Sequence, residues 1–293
     1  MQICCAGEVM VELAGTGASG GYQQGFAGDT CNTAIYLARA GLGVDYLTRL
    51  GDDRFSDAIV KDLEDEGIGT EAVFRIPGRQ PGLYLIRNDA QGEREFHYWR
   101  DSSPAREMFE QPLTPPQCQA FYFSGITLAV TRNGIDNLKD LLVRLKQQGS
   151  AIVFDPNFRP ALWDSTAQAR DYYRQVLPHC SMVLPTLDDD CALWGINSPQ
   201  ESASMYMDIG ASEVVVKGAD LVAHAFCEDQ IVQRQADKVA ALDTTGAGDS
   251  FNAGYLAARL QGATLDLALA AGQQLAAKVV QHRGALLPRV TGN

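Results

Sequence analysis

The stretch DTTGAGDSFNAG, residues 243–254, gathers Gly246, Gly248 and the acid Asp249 at one point, with an amphipathic run over residues 251–260 directly after it. Apolar, strand-like sequence precedes it, so the glycines fall at a loop-to-helix junction. The first amides of a helix lack intrahelical partners and carry the positive end of the macrodipole, so such a junction binds phosphate. Glycines there let the backbone approach the anion closely. A carboxylate in the first turn stabilises a helix by itself, which would explain a lone Asp249. Beside a bound polyphosphate it would repel the ligand unless it had a task, such as accepting a proton from an attacking hydroxyl.

Together with AGYLAARL (residues 253–260), this string resembles the signature of the ribokinase-like (PfkB) carbohydrate kinases. The resemblance implies a three-layer α/β/α fold, ATP as phosphoryl donor and Mg2+ as cofactor. It also implies that Gly246, Ala247 and Gly248 form an anion hole for the transferred phosphoryl group, with Asp249 as the base acting on the sugar hydroxyl.

At 293 residues, 46% hydrophobic and 20% charged, the chain suits one globular domain covering residues 1–293. No apolar run approaches the roughly 18 residues that span a bilayer. The opening MQICCAGEVMVEL has no basic segment before its apolar part and reads as a core strand, which makes the cytoplasm the expected location. Seven cysteines form no CxxC pair and share no zinc-type spacing with His97, His179, His224 or His282, so free thiols are expected. A formal net charge of −12 argues against nucleic acid as a partner. An anionic ligand then has to be met by local arginines and helix ends.

From about residue 115, apolar runs alternate with helical periodicity: AFYFSGI (120–126), a helix over 134–148, AIVFDPN (151–157), a helix over 167–177, MVLPT (182–186) and EVVVKG (213–218). That alternation predicts a mainly parallel sheet with helices on both faces and ligands at the C-terminal ends of its strands. Residues 73–100 differ. FRIPG, GLYLIRN and REFHYWR alternate with the turn elements PG and DAQGE, which reads as an antiparallel meander. With the Gly-rich span 14–28 it is expected to form a small β-sheet lid, approximately residues 9–28 and 73–103, and possible pairing of two copies would run through it. Gly15, Gly17 and Gly20 spell GxGxxG, but no amphipathic helix follows, so the dinucleotide-loop context is missing. The chain also lacks the GxxxxGK[ST] of Walker-type ATPases.

At the substrate end, Asp29 stands before a helix expected over residues 30–40, with Gly41 at its C′ position, and serves there as an N-cap. Asn32 lies one turn in and points into the same mouth. The resemblance makes GFAGDTCN (25–32) a substrate loop contacting sugar hydroxyls through Gly28, Asp29 and Asn32. Tyr84 in PGLYLI, and Tyr98 with Arg100 in FHYWR, sit on the expected lid, Tyr98 and Arg100 on one face by the period of two. A guanidinium beside a phenol suits a carboxylate, while a cross-strand aromatic pair with an edge arginine is the plain alternative. Arg159, after DPNF, offers a second cation at a strand end.

PGLYLI, HYWR and FDPNFRPALW resemble the sugar-acid kinases within the family, which implies that Tyr84, Tyr98, Arg100 and Arg159 bind a sugar acid. The nucleotide side is carried over to Asn157, Arg159, Lys217, Gly218, Asp220, Gly246 and Gly248. One departure concerns the metal. The family's NxxE becomes Thr186 and Asp189 within LPTLDDD, so which acid supports magnesium stays open, and the Asp run is also read as a solvated helix start. The sequence thus points to an ATP-dependent sugar-acid kinase, with a neutral-sugar kinase of the same fold or a non-catalytic sugar-binding protein as alternatives.

Overall fold

The computed structural model describes residues 2–15, 21–88, 94–228 and 230–289. Gly17 and Gly20 of the GxGxxG string and the turn DAQGE lie outside them.

The chain begins on the large sheet with β1 (Gln2–Ala6) and leaves it for a hairpin, β2 (Met10–Gly15) and β3 (Tyr22–Ala27). Helix α1 (Asp29–Arg39) brings it back to β4 (Gly43–Leu50), and α2 (Arg54–Asp65) leads to the short β5 (Ile68–Gly69) and β6 (Val73–Arg75). A second excursion forms β7 (Leu83–Asn88) and β8 (Arg94–Trp99). The rest alternates: β9 (Ala120–Ser124), α3 (Gly125–Val130), α4 (Ile135–Gln147), β10 (Ala151–Asp155), α5 (Thr166–Val176), β11 (Met182–Val183), α6 (Leu187–Trp194), α7 (Pro199–Ile209) and β12 (Glu213–Lys217). A hairpin of β13 (Val222–Cys227) and β14 (Gln230–Gln235) precedes α8 (Ala247–Leu260) and α9 (Leu265–Val279).

The large sheet runs β14-β13-β12-β11-β10-β9-β1-β4-β5, parallel from β12 through to β5, with β13 and β14 antiparallel at one end. Its central strands are apolar on both faces, as a sheet covered by helices on each side requires. In β9, Phe121 and Phe123 join Leu141 and Leu142 of α4 in one core, while Tyr122 faces α1 and α8 in the other. Helix α4 turns Leu138, Leu141, Leu142 and Leu145 inward, the i, i+3, i+4, i+7 spacing of an amphipathic helix. Helices α8 and α9 cross closely because two glycines meet backbone: a Cβ on Gly254 would lie 2.7 Å from the Ala271 carbonyl oxygen, and one on Gly272 2.8 Å from that of Phe251.

The second sheet has four strands in the order β3-β2-β7-β8. It departs from the expected antiparallel meander in two ways. The FRIPG run places Val73–Arg75 alongside β4 in the large sheet, because α2 and β5 keep the chain at that sheet's edge until the turn at Pro77 and Gly78. The first strand of the returning hairpin then docks parallel to β2, leaving antiparallel pairing to β2–β3 and β7–β8. The helix after β3 also begins one residue earlier than expected. Gly28, in extended conformation, is its N-cap, and Asp29 is inside the first turn with its carboxylate turned elsewhere. Gly41, with φ of +84°, occupies the left-handed position after the helix.

Candidate active site

A cleft of about 690 Å³ lies where the C-terminal ends of β1, β10 and β12 meet the starts of α1 and α8 and one face of the small sheet. Of the residues singled out in the sequence, Gly28, Asp29, Asn32, Tyr84, Tyr98, Arg100, Asn157, Arg159, Lys217, Gly246, Ala247, Gly248 and Asp249 all line it. Gly218 lines an adjoining cavity of about 330 Å³ with a largely apolar wall that includes Val222, Val239, Phe251, Ala276 and Val280. The two spaces share Thr186, Lys217, Ala241, Thr244, Ala247 and Gly248. Asp220 lines neither; its Oδ1 accepts from the Val222 amide and closes the turn between β12 and β13.

Helix α8 starts as its glycines dictate. Gly246 caps it at φ +74°, and a Cβ there would stand 2.7 Å from the Ala285 Cβ. Gly248 is different: it lies inside the helix without a positive φ, and a Cβ there would meet nothing within 4 Å, so it faces open cleft. The Ala247 amide donates to the Thr244 carbonyl at 3.2 Å, which turns it inward. The amides of Gly248 and Asp249 have no backbone partner among the described residues and are the donors presented at the helix start.

The cleft floor concentrates the carboxylates of Asp29, Asp155 and Asp249, and each of these is held by the amide of an asparagine. Asn32 Nδ2 donates to Asp249 at 2.8 Å, Asn157 Nδ2 to Asp29 at 2.9 Å and Asn252 Nδ2 to Asp155 at 2.9 Å. Asn157 takes a left-handed φ of +34° to do so. Burial, then the neighbouring Asp29 and Asp155 charges, push the Asp249 carboxyl above the usual carboxylate range, against the opposing pull of Asn32 and Lys217. Asp29 is raised as well, first by burial and further by Asp155, with Ser124 and Asn157 opposing. Lys217 Nζ donates to Asn252 Oδ1 at 2.8 Å and stands 3.8 Å from Asp155.

The small-sheet wall modifies the expected cation pattern. Arg100 follows the last residue of β8 and is buried, with its guanidinium against the Glu8 carboxylate and 5.6 Å from the Tyr98 ring centroid. Its charge is therefore already matched within the protein, because the chain crosses between the two sheets at both residues. Arg159 is the more available cation: its side chain is 51% exposed, and Asp189 sits 3.3 Å away. The Tyr84 hydroxyl donates to Glu12, while Tyr98 stays half exposed. The Asp run at the start of α6 divides into three environments and is no uniform solvated start. Asp188 is exposed, Asp189 pairs with Arg159, and Asp190 is buried, accepting from Ser202 at 2.5 Å and Tyr206 at 2.6 Å. Burial pushes Asp190 up to about 6.

Sequence reasoning did not pick out Glu8, Asp155 or Asn252. Asn252 sits three residues after Asp249 on the same helical face, which was the available signal. The carboxylates lining the cleft are hard oxygen donors, and among the described residues no group of three or more His, Cys, Asp or Glu could hold a metal alone. That donor set fits Mg2+ bound through one or two carboxylates, water and phosphate oxygens. Among the described residues no helix is long and apolar enough to cross a membrane.

A family model described as pfkB family carbohydrate kinase matches residues 1–291. The 2-dehydro-3-deoxygluconokinase of Escherichia coli K12 is 38% identical, over 98% of this chain and 97% of that protein. The 2-dehydro-3-deoxygluconokinase of Dickeya dadantii is likewise 38% identical, over 98% of this chain and 96% of its own. Among solved structures, aminoimidazole riboside kinase from Salmonella enterica, complexed with aminoimidazole riboside and an ATP analog, superposes with a TM-score of 0.85 at 22% identity. It covers 97% of this chain and 95% of that one, a likeness of fold.

The two glycines at the start of α8 should respond oppositely to substitution. Gly246→Val forces a β-branched residue into a left-handed conformation against Ala285 and should cost about 1–3 kcal/mol of stability. Gly248→Ala meets no protein atom and should leave the melting temperature unchanged or slightly raised, since alanine is the better helix former. Thermal denaturation of both variants beside the parent checks the contrast.

Proposed function

Because the chain belongs to the pfkB family of carbohydrate kinases, we propose that it transfers the γ-phosphoryl group of ATP to the terminal hydroxyl of 2-keto-3-deoxygluconate (2-dehydro-3-deoxygluconate). The product is 2-keto-3-deoxy-6-phosphogluconate. The observation that carries this is one cleft joining the Asp249 helix start to a wall of Tyr84, Tyr98, Arg100 and Arg159. Near full-length likeness to 2-dehydro-3-deoxygluconokinases supports the choice of substrate over a neutral sugar.

In this mechanism Asp249 accepts the hydroxyl proton as the oxygen attacks the γ-phosphorus and the bond to ADP breaks. Its raised pKa suits it as a proton acceptor working near neutral pH. The Gly248 and Asp249 amides and the N-terminus of α8 stabilise charge on the transferring group, with Gly246 shaping the turn. Asp29, Asn32 and Gly28 hold the sugar hydroxyls. Lys217 and Arg159, with Asn157, meet the phosphates, and the apolar cavity beside Gly218 takes the nucleotide base. When bound, Mg2+ would neutralise phosphate charge, and Asp155 and Asp189 would be the residues to hold its waters.

The small sheet acts as a lid over the sugar acid, within a single kinase domain spanning residues 1–293. Its free edges at β3 and β8 and the exposed Trp99 support pairing with a second copy of the chain. Seven free thiols and an ATP donor suit a cytoplasmic enzyme.

Asp249→Asn should keep the fold and lower kcat by about 10²- to 10⁴-fold. The parent's kcat/KM should fall as pH drops through the Asp249 pKa, because only the ionised carboxylate accepts a proton, and this acid limb should lie above the ordinary carboxylate range. Asp29→Asn removes a neighbouring negative charge, so it should move that limb to lower pH; a pH profile of both enzymes measures the shift.

The two arginines should separate. Arg159→Ala should lose about 10- to 150-fold in kcat/KM with the sugar acid, the worth of a charge-assisted bond, and far less with a neutral ketose of equal length. Arg100→Ala leaves Glu8 buried without its partner, so it should cost about 3–5 kcal/mol of stability and harm both substrates alike. Turnover on the two substrates plus thermal melts distinguishes the roles.

A further inference from the structure

Asn252 stands between the part-buried ammonium of Lys217 and the Asp155 carboxylate beside it. Its side chain is fully buried, and both ends of the amide are occupied. Oδ1 accepts from Lys217 Nζ at 2.8 Å, while Nδ2 donates to Asp155 Oδ2 at 2.9 Å and to the Tyr122 hydroxyl at 3.1 Å. Lys217 Nζ is 3.8 Å from Asp155 Oδ1, beyond hydrogen-bond length. A neutral group thus bridges the ammonium and the carboxylate, which pair with each other at 3.8 Å without a direct hydrogen bond. An ammonium has three donors, and one goes to Asn252. Lys217 also lines both the cleft and the apolar cavity, at the passage between them.

We infer that Asn252 is a positioning residue for the nucleotide: it fixes Lys217 in that passage by accepting from its ammonium, and so holds the ammonium where the polyphosphate lies. The inference rests on Lys217 being a phosphate contact, as proposed above. Its physical basis is that an amide acceptor orients the ammonium without adding a further negative charge beside Asp155.

Asn252→Ser combined with Lys217→Met provides the test, because the serine removes the amide acceptor from Lys217 without adding a charge. A double-mutant cycle separates positioning from a merely structural role: if Asn252 acts through the ammonium, its substitution costs little once the ammonium is gone.

The measurement is calorimetric titration of the protein with Mg·ATP, without sugar, so that it does not depend on which sugar is phosphorylated. Asn252→Ser, which keeps neither arm of the amide, and Lys217→Met should each weaken Mg·ATP by about 10-fold or more. The double variant should bind within about twofold of Lys217→Met, because Asn252 acts through the ammonium. Asn252→Ser binding within about twofold of the parent, or losses that multiply in the double variant, overturn the inference about Asn252. Lys217→Met binding within about twofold of the parent overturns it at the prior step, by removing Lys217 from the phosphate site. Should the double variant fail to fold, the single Asn252→Ser and Lys217→Met titrations decide alone.

Discussion

The constraint on which the rest depends is the concentration of negative charge at the cleft floor. Asp29, Asp155 and Asp249 come from α1, β10 and α8, elements far apart in the chain, and each is met by an asparagine amide. Amides satisfy a carboxylate's lone pairs without cancelling its charge. The floor therefore keeps its electrostatic tension, expressed in the raised pKa values of Asp29 and Asp249. Arginine or lysine in place of those asparagines would have relaxed the site and lowered the basicity of Asp249.

The scaffold holds that tension because the elements carrying the acids are rigid. Helix α8 is pinned against α9 by glycines that let the backbones touch, and its N-cap turn rests on Ala285. The chain after α9 supports it further, since the Gly284 amide donates to Asp243 at 2.5 Å and the Tyr36 hydroxyl to the Ala285 carbonyl at 2.8 Å. The turn at the start of α8 is thus held by α1 on one side and by the segment beyond α9 on the other. Preorganisation of this kind lets backbone donors stabilise charge without rearranging during the reaction.

The small-sheet wall follows a different logic. It is built where the chain crosses between the sheets, and the Glu8–Arg100 contact spans two of those crossings. A cation neutralised there contributes shape and a platform beneath Tyr98, while Arg159, anchored on the large sheet and only loosely paired with Asp189, retains its charge. A strongly acidic chain can in this way present a local positive surface to an anion against its own long-range field.

Local chemistry determined much of this protein. DTTGAGDSFNAG alone specifies a glycine-capped helix start with a carboxylate in its first turn, since left-handed dihedrals and unpaired first-turn amides are properties of a few consecutive residues. Alternating apolar runs likewise determine a parallel sheet sheathed by helices, because strands buried on both faces must be apolar throughout. Pairings between distant segments were decided only in three dimensions. Strand β6 joined the large sheet although its sequence matches that of a hairpin, for register between strands depends on where the preceding helix leaves the chain. Asp29 has the residue type of a cap and yet turns to Asn157, 128 positions away. Arg100 reads as a free cation until Glu8, 92 positions earlier, is folded against it. Periodicity records which face a residue occupies, but the partner it meets there depends on how separate elements dock, and it is the partner that sets charge and pKa.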